Sequence, residues 1–104
     1  MDSILDSIKK LLGIQPEYTS FDDDIIMHIN SVFVILNQLN IGPPEGFFIV
    51  DNSTTWEEYM TKINHALVRS YMYLKVRSMF DPPTSGALTE SMARLIAELE
   101  WRLY

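Results

Sequence analysis

Apolar side chains recur at helical spacing in four stretches of the chain, separated by segments rich in glycine and proline. The first stretch predicts a helix over residues 2–12 that stops at Gly13. The second predicts a helix over residues 22–40, which begins with three aspartates that favour the helix dipole and ends before a Gly-Pro-Pro run. The apolar positions of the first helix are Ile4, Ile8, Leu11 and Leu12. Those of the second helix are Ile25, Ile29, Val32, Phe33, Leu36 and Leu39.

Two further helices are predicted in the second half of the chain. One covers residues 62–80 and ends at Asp81, because a residue before proline disfavours helical backbone. Its apolar positions form two arcs, so we expect it at the centre of the fold with a basic ridge facing outward. The first arc consists of Ile63, Leu67, Tyr71 and Leu74, and the second arc consists of Val68, Met72, Val76 and Met79. The ridge consists of Lys62, Arg69, Tyr73 and Arg77. The other helix covers residues 86–103, with a core stripe of Leu88, Met92, Leu95, Ile96, Leu99 and Leu103.

An irregular insertion separates the second and third helices. The segment "FFIVD", residues 47–51, predicts a short strand. The following "STTWEEYM" indicates a helix start, because Thr54 or Thr55 precedes a glutamate by three residues. The pattern as a whole predicts an all-α fold, a small bundle of about four helices in a single domain spanning residues 1–104.

Charge and composition exclude several classes of function. The chain has 14 acidic and 8 basic residues and a net charge of −6, so a phosphate backbone would repel it and duplex DNA binding is not expected as its main function. It has no cysteine, which removes disulfides and thiolate metal sites. Residues 25–44 carry no formal charge, but five amide and hydroxyl side chains interrupt the run, so we do not predict a membrane span. The N-terminus, "MDSILDSIKK", does not resemble a signal peptide.

Candidate catalytic and metal-binding residues are few. Asp22, Asp24 and His28 could suggest a metal site, but acids are expected in a first helical turn, and zinc or iron sites usually need three or four ligands. The sequence contains neither a glycine-rich phosphate loop nor a nucleophile elbow. We therefore expect no catalytic residue, no metal and no cofactor.

The cations of the third predicted helix allow more than one interpretation. Lys62, Arg69 and Arg77 could contact phosphates, which makes a small helical DNA-binding regulator the alternative function, although nucleic-acid modules usually carry a basic surplus. Lys75 falls between the two apolar arcs. Its head either pairs with a carboxylate, in this chain or in a neighbour, or reaches solvent along an apolar surface.

Four segments in order resemble one known family. They are "ILDSIKKLLGI", "FDDDIIMHINSVFVILNQLNIGP", "YLKVRSMFDPP" and "LIAELEWRL", and together they span nearly the whole chain. They resemble the head–tail connector (neck adaptor, head-completion) proteins of long-tailed double-stranded DNA phages, and in particular prophage versions in Gram-positive bacteria.

The resemblance implies a helical structural protein without catalytic activity. Its copies, twelve to match the portal, would form a ring beneath the portal protein of the DNA-filled head and receive the next neck or tail-completion protein. It further implies a subunit that can be monomeric in the host cytoplasm before assembly, a place in the virion neck afterwards, and a conduit through which DNA passes without specific binding.

The distribution of side chains around the predicted helices, together with the resemblance, suggests which residues contact partners. By family analogy the C-terminal helix contacts the portal, and the insertion over residues 42–55 contacts a neighbouring subunit or a tail-side protein. The candidate partner-interface residues are Met27, Val34, Phe47, Phe48, Arg69, Lys75, Arg77, Ala97, Trp101 and Tyr104.

Overall fold

The computed structural model describes residues 3–59 and 65–103. This part of the chain contains five helices and no β-strand, which confirms the predicted all-α fold. The helices are α1 (Ile4–Leu11), α2 (Asp22–Gln38), α3 (Trp56–Tyr59), α4 (His65–Phe80) and α5 (Gly86–Leu103).

The helix ends follow local chemistry. Ser3 caps α1 by accepting a hydrogen bond from the Asp6 amide at 3.2 Å, so the helix begins at Ile4. The second helix ends two residues earlier than predicted, because Asn40 has a φ of 62° and leaves the helical region. The ends of α5 lie where the sequence predicts them. The third predicted helix corresponds to α4, and the part of that prediction before His65 lies outside the described residues.

The core forms where α1, α2 and α4 meet, and α4 packs against α2 on one side and α5 on the other. The predicted central position of this helix is thus confirmed. Its second arc faces the core except for Met79, which is exposed. The buried apolar residues of these three helices are Ile4, Leu5, Ile8, Ile25, Ile29, Val32, Phe33, Leu36, Val68, Tyr71, Met72 and Val76.

A buried lysine joins α1 to the start of α2. Lys9 is 0% exposed, and its ammonium donates hydrogen bonds to the carbonyl oxygens of Pro16 at 2.9 Å and Tyr18 at 2.8 Å. Asp22 Oδ1 lies 2.8 Å from the same nitrogen as an ion pair, without the alignment of a hydrogen bond. Two hydrogen bonds and one ion pair therefore compensate the buried charge of Lys9. The apolar pattern did not identify Lys9, and one of its apolar positions, Leu11, is exposed.

The segment predicted as a strand has the expected alternation but no partner strand. Ile49 is buried, while Phe48 and Val50 are each 69% exposed. The polar partner of this segment is the side chain of Asn30 on α2, which accepts from the Ile49 amide at 2.8 Å and donates to the Ile49 carbonyl at 2.9 Å. The strand prediction is therefore wrong, because a side-chain amide supplies the two hydrogen bonds that a neighbouring strand would have made.

The end of the insertion is fixed on α1. The Ile4 amide donates to the Thr54 carbonyl at 3.0 Å, and the buried Trp56 donates its indole N–H to Ser7 Oγ at 2.7 Å. The one-turn helix α3 starts as the sequence predicts, since the Thr55 amide donates to Glu58 Oε2 at 2.8 Å. The insertion is thus part of the folded core.

The fifth helix is the most peripheral. None of its described residues is fully buried, and it contacts the core through the half-buried side chains of Ile96, Leu99 and Leu103. Two members of its predicted core stripe, Leu88 and Leu95, are exposed, so that part of the prediction is wrong. The predicted stripe is therefore wider than the part of α5 that packs against the core.

Loss of the Lys9 ammonium should destabilise the fold strongly. We expect Lys9→Met to lower the free energy of unfolding by about 3 to 5 kcal/mol, because it leaves a partly buried carboxylate and two carbonyls without their cation. Urea unfolding at neutral pH measures the change. The matched control is Lys10→Met, which removes the same charge from an exposed neighbour and should change stability by less than about 0.5 kcal/mol. Equal effects of the two variants would contradict the role given to Lys9.

The Asn30 amide should hold the insertion against α2. We expect Asn30→Ala to cost about 2 kcal/mol, because the Ile49 amide and carbonyl lose their partners. Hydrogen exchange at the Ile49 amide should accelerate in the variant. The control is Asn37→Ala, an exposed asparagine on the same helix. Unchanged exchange at Ile49 in the Asn30 variant would show that the apolar contacts alone hold the segment.

Candidate partner interface

The position of α5 is set by a tyrosine–carboxylate contact. Tyr71 on α4 is fully buried, and its hydroxyl donates to Glu100 Oε2 at 2.8 Å. Burial raises the pKa of Tyr71 well above its usual value, and the hydrogen bond to Glu100 and the charge of that carboxylate raise it further. Together with the half-buried Ile96, Leu99 and Leu103, this contact holds one side of α5 against the core and leaves Ala97 and Trp101 facing outward.

Trp101 stands at the edge of an apolar groove between α5 and the C-terminal end of α2. Its side chain is 80% exposed, the largest exposure among the exposed large apolar residues in the described part of the chain. The groove has a volume of about 440 Å³. It is lined by Ile35, Gln38, Leu39, Ala97, Glu100 and Trp101. The structure therefore brings two predicted interface residues, Ala97 and Trp101, to one groove; the third on that face, Tyr104, lies outside the described residues.

A second apolar strip lies on the outer face of α2. Met27 and Val34 are two turns apart on this helix, and both are more than half exposed. Between them, Ser31 donates its hydroxyl to the Met27 carbonyl at 3.0 Å. The sequence predicted that these two side chains point away from the core, and the structure agrees.

Phe47 and Phe48 are separated by the fold. Phe47 packs edge-on against Phe33 and Tyr59, with ring centroids 5.2 and 5.1 Å apart, so it is committed to its own subunit. Burial raises the pKa of Tyr59 to about 12. The same ring requires glycine at position 42, because a Cβ there would lie 2.6 Å from Tyr59 Cε1. Phe48 points outward and is available to a partner.

The predicted basic ridge is largely engaged within the subunit. The Arg69 guanidinium lies 5.2 Å from the centre of the Trp56 ring, and Arg77 donates to the Tyr73 hydroxyl at 3.0 Å. Lys62 lies outside the described residues. Because two of its three cations are held by aromatic side chains of the same chain, the ridge gives no support to the DNA-binding alternative.

Lys75 is half-buried beside the α4–α5 connection, in a groove that Pro83 and Glu100 also line. Within residues 3–59 and 65–103, no carboxylate lies within 4 Å of its ammonium. A carboxylate on a neighbouring subunit as the partner of Lys75 stays a prediction.

Comparison with known families shows which family the chain belongs to. A family model described as "Phage connector protein" matches residues 4–104. The chain belongs to the phage connector protein family. This confirms the resemblance found in the sequence and gives the protein a structural role in phage assembly, in association with portal and tail proteins. Neither the curated proteins nor the solved structures include a match to the connector.

The remaining candidate sites in the connector are dispersed. Asp22 forms an ion pair with Lys9, whereas Asp24 and His28 line a groove that does not include Asp22. Over the described ranges, no three metal-ligating side chains come together. The same ranges contain no helix that is both long and apolar enough to span a bilayer. Two exposed ion pairs, Glu90 with Arg94 and Glu98 with Arg102, lie along the solvated face of α5.

The helical patterns did not indicate the Tyr71–Glu100 contact, because Tyr71 belonged to an apolar arc and Glu100 to no pattern. The available signal was the placement of Glu100 beside the core stripe of α5, one residue after Leu99. A carboxylate at that position needs a donor from the facing helix.

The tyrosine pKa values predict a loss of stability at alkaline pH. In the folded state the pKa values of both tyrosines lie above the unfolded value of about 10. The stability contributed by the two neutral hydroxyls is therefore complete below pH 10. It decreases as the pH rises above 10 towards the folded-state pKa, which is about 12 for Tyr59. Tyr71→Phe should cost about 1 kcal/mol at pH 8 and reduce the alkaline loss. Urea unfolding at pH 8, 9.5 and 11 measures both effects.

The control for this prediction is Tyr73→Phe. It makes the same chemical change on the same helix, where the hydroxyl accepts from Arg77, and should cost less than about 0.5 kcal/mol at pH 8. An alkaline loss of full size in the Tyr71→Phe protein would contradict the assignment.

Proposed function

We propose that this connector is a subunit of the ring that joins the portal of the DNA-filled head to the tail, and that α5 docks on the portal. The observation that carries the proposal is the exposure of Trp101 beside the apolar groove. A large aromatic side chain next to a groove is typical of an anchor residue at a protein interface. Family membership supplies the partner class.

A closed ring of identical subunits needs two different patches on each subunit. The groove between α5 and α2 and the strip of Met27 and Val34 on α2 are both exposed, and we propose that they serve as these two patches. We propose twelve copies, matching the portal, formed from subunits that are monomeric in the host cytoplasm and reside in the virion neck after assembly. Residues 1–104 act as one domain, without catalysis or a cofactor.

The insertion is proposed as the contact with the next neck or tail-completion protein. Phe48 and Val50 are outward-facing on an extended segment that lacks a partner strand. Such a segment can pair with a strand of another chain. We propose that Lys75, Arg69 and Arg77 face a neighbouring subunit. Lys75 would pair there with a carboxylate, while Arg69 and Arg77 keep their contacts with Trp56 and Tyr73.

The lumen of the ring would carry DNA without holding it. A subunit with a net charge of −6 repels phosphate, so passing DNA would meet no strong attachment site. This property suits a conduit.

Co-assembly with the portal protein of the same genome tests the proposal. Purified connector is mixed with portal rings, and the particles are viewed by electron microscopy. We expect an added ring of density on one face of the portal, with the subunit number of the portal. No added density under several salt and pH conditions would reject the connector ring.

Trp101 should be essential for that docking and dispensable for folding. We expect Trp101→Ser to weaken portal binding by about thirtyfold, the effect of losing an interface anchor of about 2 kcal/mol, with an unchanged melting temperature. Leu88→Ser removes another exposed apolar side chain from the same helix and serves as the control. If the wild type and Trp101→Ser bind the portal equally and both form the ring, the portal contact does not depend on α5 and this part of the proposal is wrong.

A further inference from the structure

A second groove lies at the opposite end of the α4 helix from the insertion, where the α1–α2 connection meets the last turn of α4. It has a volume of about 550 Å³. Its walls are apolar and aromatic, and its polar side chains are two carboxylates and one imidazole. It is lined by Leu12, Ile14, Phe21, Asp24, His28, Met79, Phe80 and Asp81.

Aromatic rings form a connected series along this groove. Phe21 contacts Tyr18 on one side and Phe80 on the other, with centroid separations of 5.6 and 5.4 Å. His28 also packs near Phe80, at 6.4 Å. Tyr18 and Phe21 are both substantially exposed although they are large and apolar. The groove thus offers ring faces and edges to an incoming side chain.

The carboxylates of Asp24 and Asp81 are exposed and uncompensated. Over the described residues, neither side chain takes part in an ion pair or a hydrogen bond. Asp22, only two residues before Asp24, is by contrast engaged by Lys9 at 2.8 Å. The groove therefore combines aromatic walls with negative charge that no lining cation offsets.

We propose that this groove docks an arginine side chain from another protein. A guanidinium group stacks on aromatic faces and binds carboxylates through a planar fork of donors, so both features of the groove suit it. Nucleic acid is disfavoured as the occupant, because two carboxylates would repel its phosphates. This site uses none of the residues assigned to portal docking and goes beyond the proposed function.

We infer that the arginine comes from a different protein, because the arginines of this chain already contact side chains of their own subunit. The chain contains four arginines. Arg69 stacks on Trp56 and Arg77 donates to Tyr73. Arg94 and Arg102 pair with glutamates one turn earlier on α5. A second copy of the connector would have to break one of these contacts to fill the groove.

The test titrates the full-length, isotope-labelled connector with N-acetyl-arginine methylamide at low salt and follows backbone amide shifts by NMR. We expect saturable shifts at Phe21, Asp24, His28, Phe80 and Asp81, with a dissociation constant on the order of 1 mM. The matched probe is N-acetyl-citrulline methylamide, which has nearly the same shape without the charge. Citrulline should bind at least about tenfold more weakly, because charge-assisted hydrogen bonds are lost.

A matched pair of variants makes the result specific. Asp24→Asn combined with Asp81→Asn should weaken arginine binding by about tenfold, since two exposed ion pairs are lost together. Asp23→Asn removes one carboxylate charge at an exposed neighbour outside the groove and should change binding less than about twofold. Absent saturation, equal binding of citrulline, or equal weakening by Asp23→Asn would each overturn the proposal. Because the isolated chain is used, failure here is distinct from failure to form a ring on the portal.

Discussion

A buried ammonium group imposes the main constraint on this fold. Lys9 has no contact with solvent, so its charge is tolerated only because two carbonyls and the Asp22 carboxylate surround it. Those partners come from the connection between α1 and α2 and from the first turn of α2. One side chain therefore fixes the path of a loop that has little regular structure. The aromatic groove around Phe21 exists because that loop is held in place.

The N-terminal and C-terminal helices are attached to the core to different extents. The N-terminal helix is tied to the insertion by the Trp56–Ser7 hydrogen bond and to α2 by Lys9, and its inward side is fully buried. The C-terminal helix has no fully buried described residue and depends on half-buried leucines and the Tyr71–Glu100 contact. A peripheral helix can present Trp101 without disturbing the core. That arrangement suits a helix whose remaining apolar surface is covered only after assembly.

The charges are distributed unequally between interior contacts and the outer surface. Lys9 is buried, and all four arginines contact aromatic or acidic side chains of their own subunit. Several carboxylates, among them Asp24 and Asp81, remain uncompensated in the described chain. Asp24 and Asp81 are therefore acidic positions on the surface that no cation of the described chain offsets. Such a surface favours basic segments of partner proteins and disfavours phosphate.

The sequence by itself determined the helices, the central place of α4 and the family, because caps, prolines and apolar periodicity act locally and the family segments are contiguous. It also identified Met27, Val34 and Trp101 as outward-facing. Only the tertiary structure decided that Lys9 is buried while Leu11, Leu88 and Leu95 are not, since periodicity gives a direction around a helix axis and not the neighbour that covers it. The same holds for the segment at Ile49, where alternation predicted a strand. Whether an extended segment pairs with a strand or with a side chain such as Asn30 depends on residues distant in the chain.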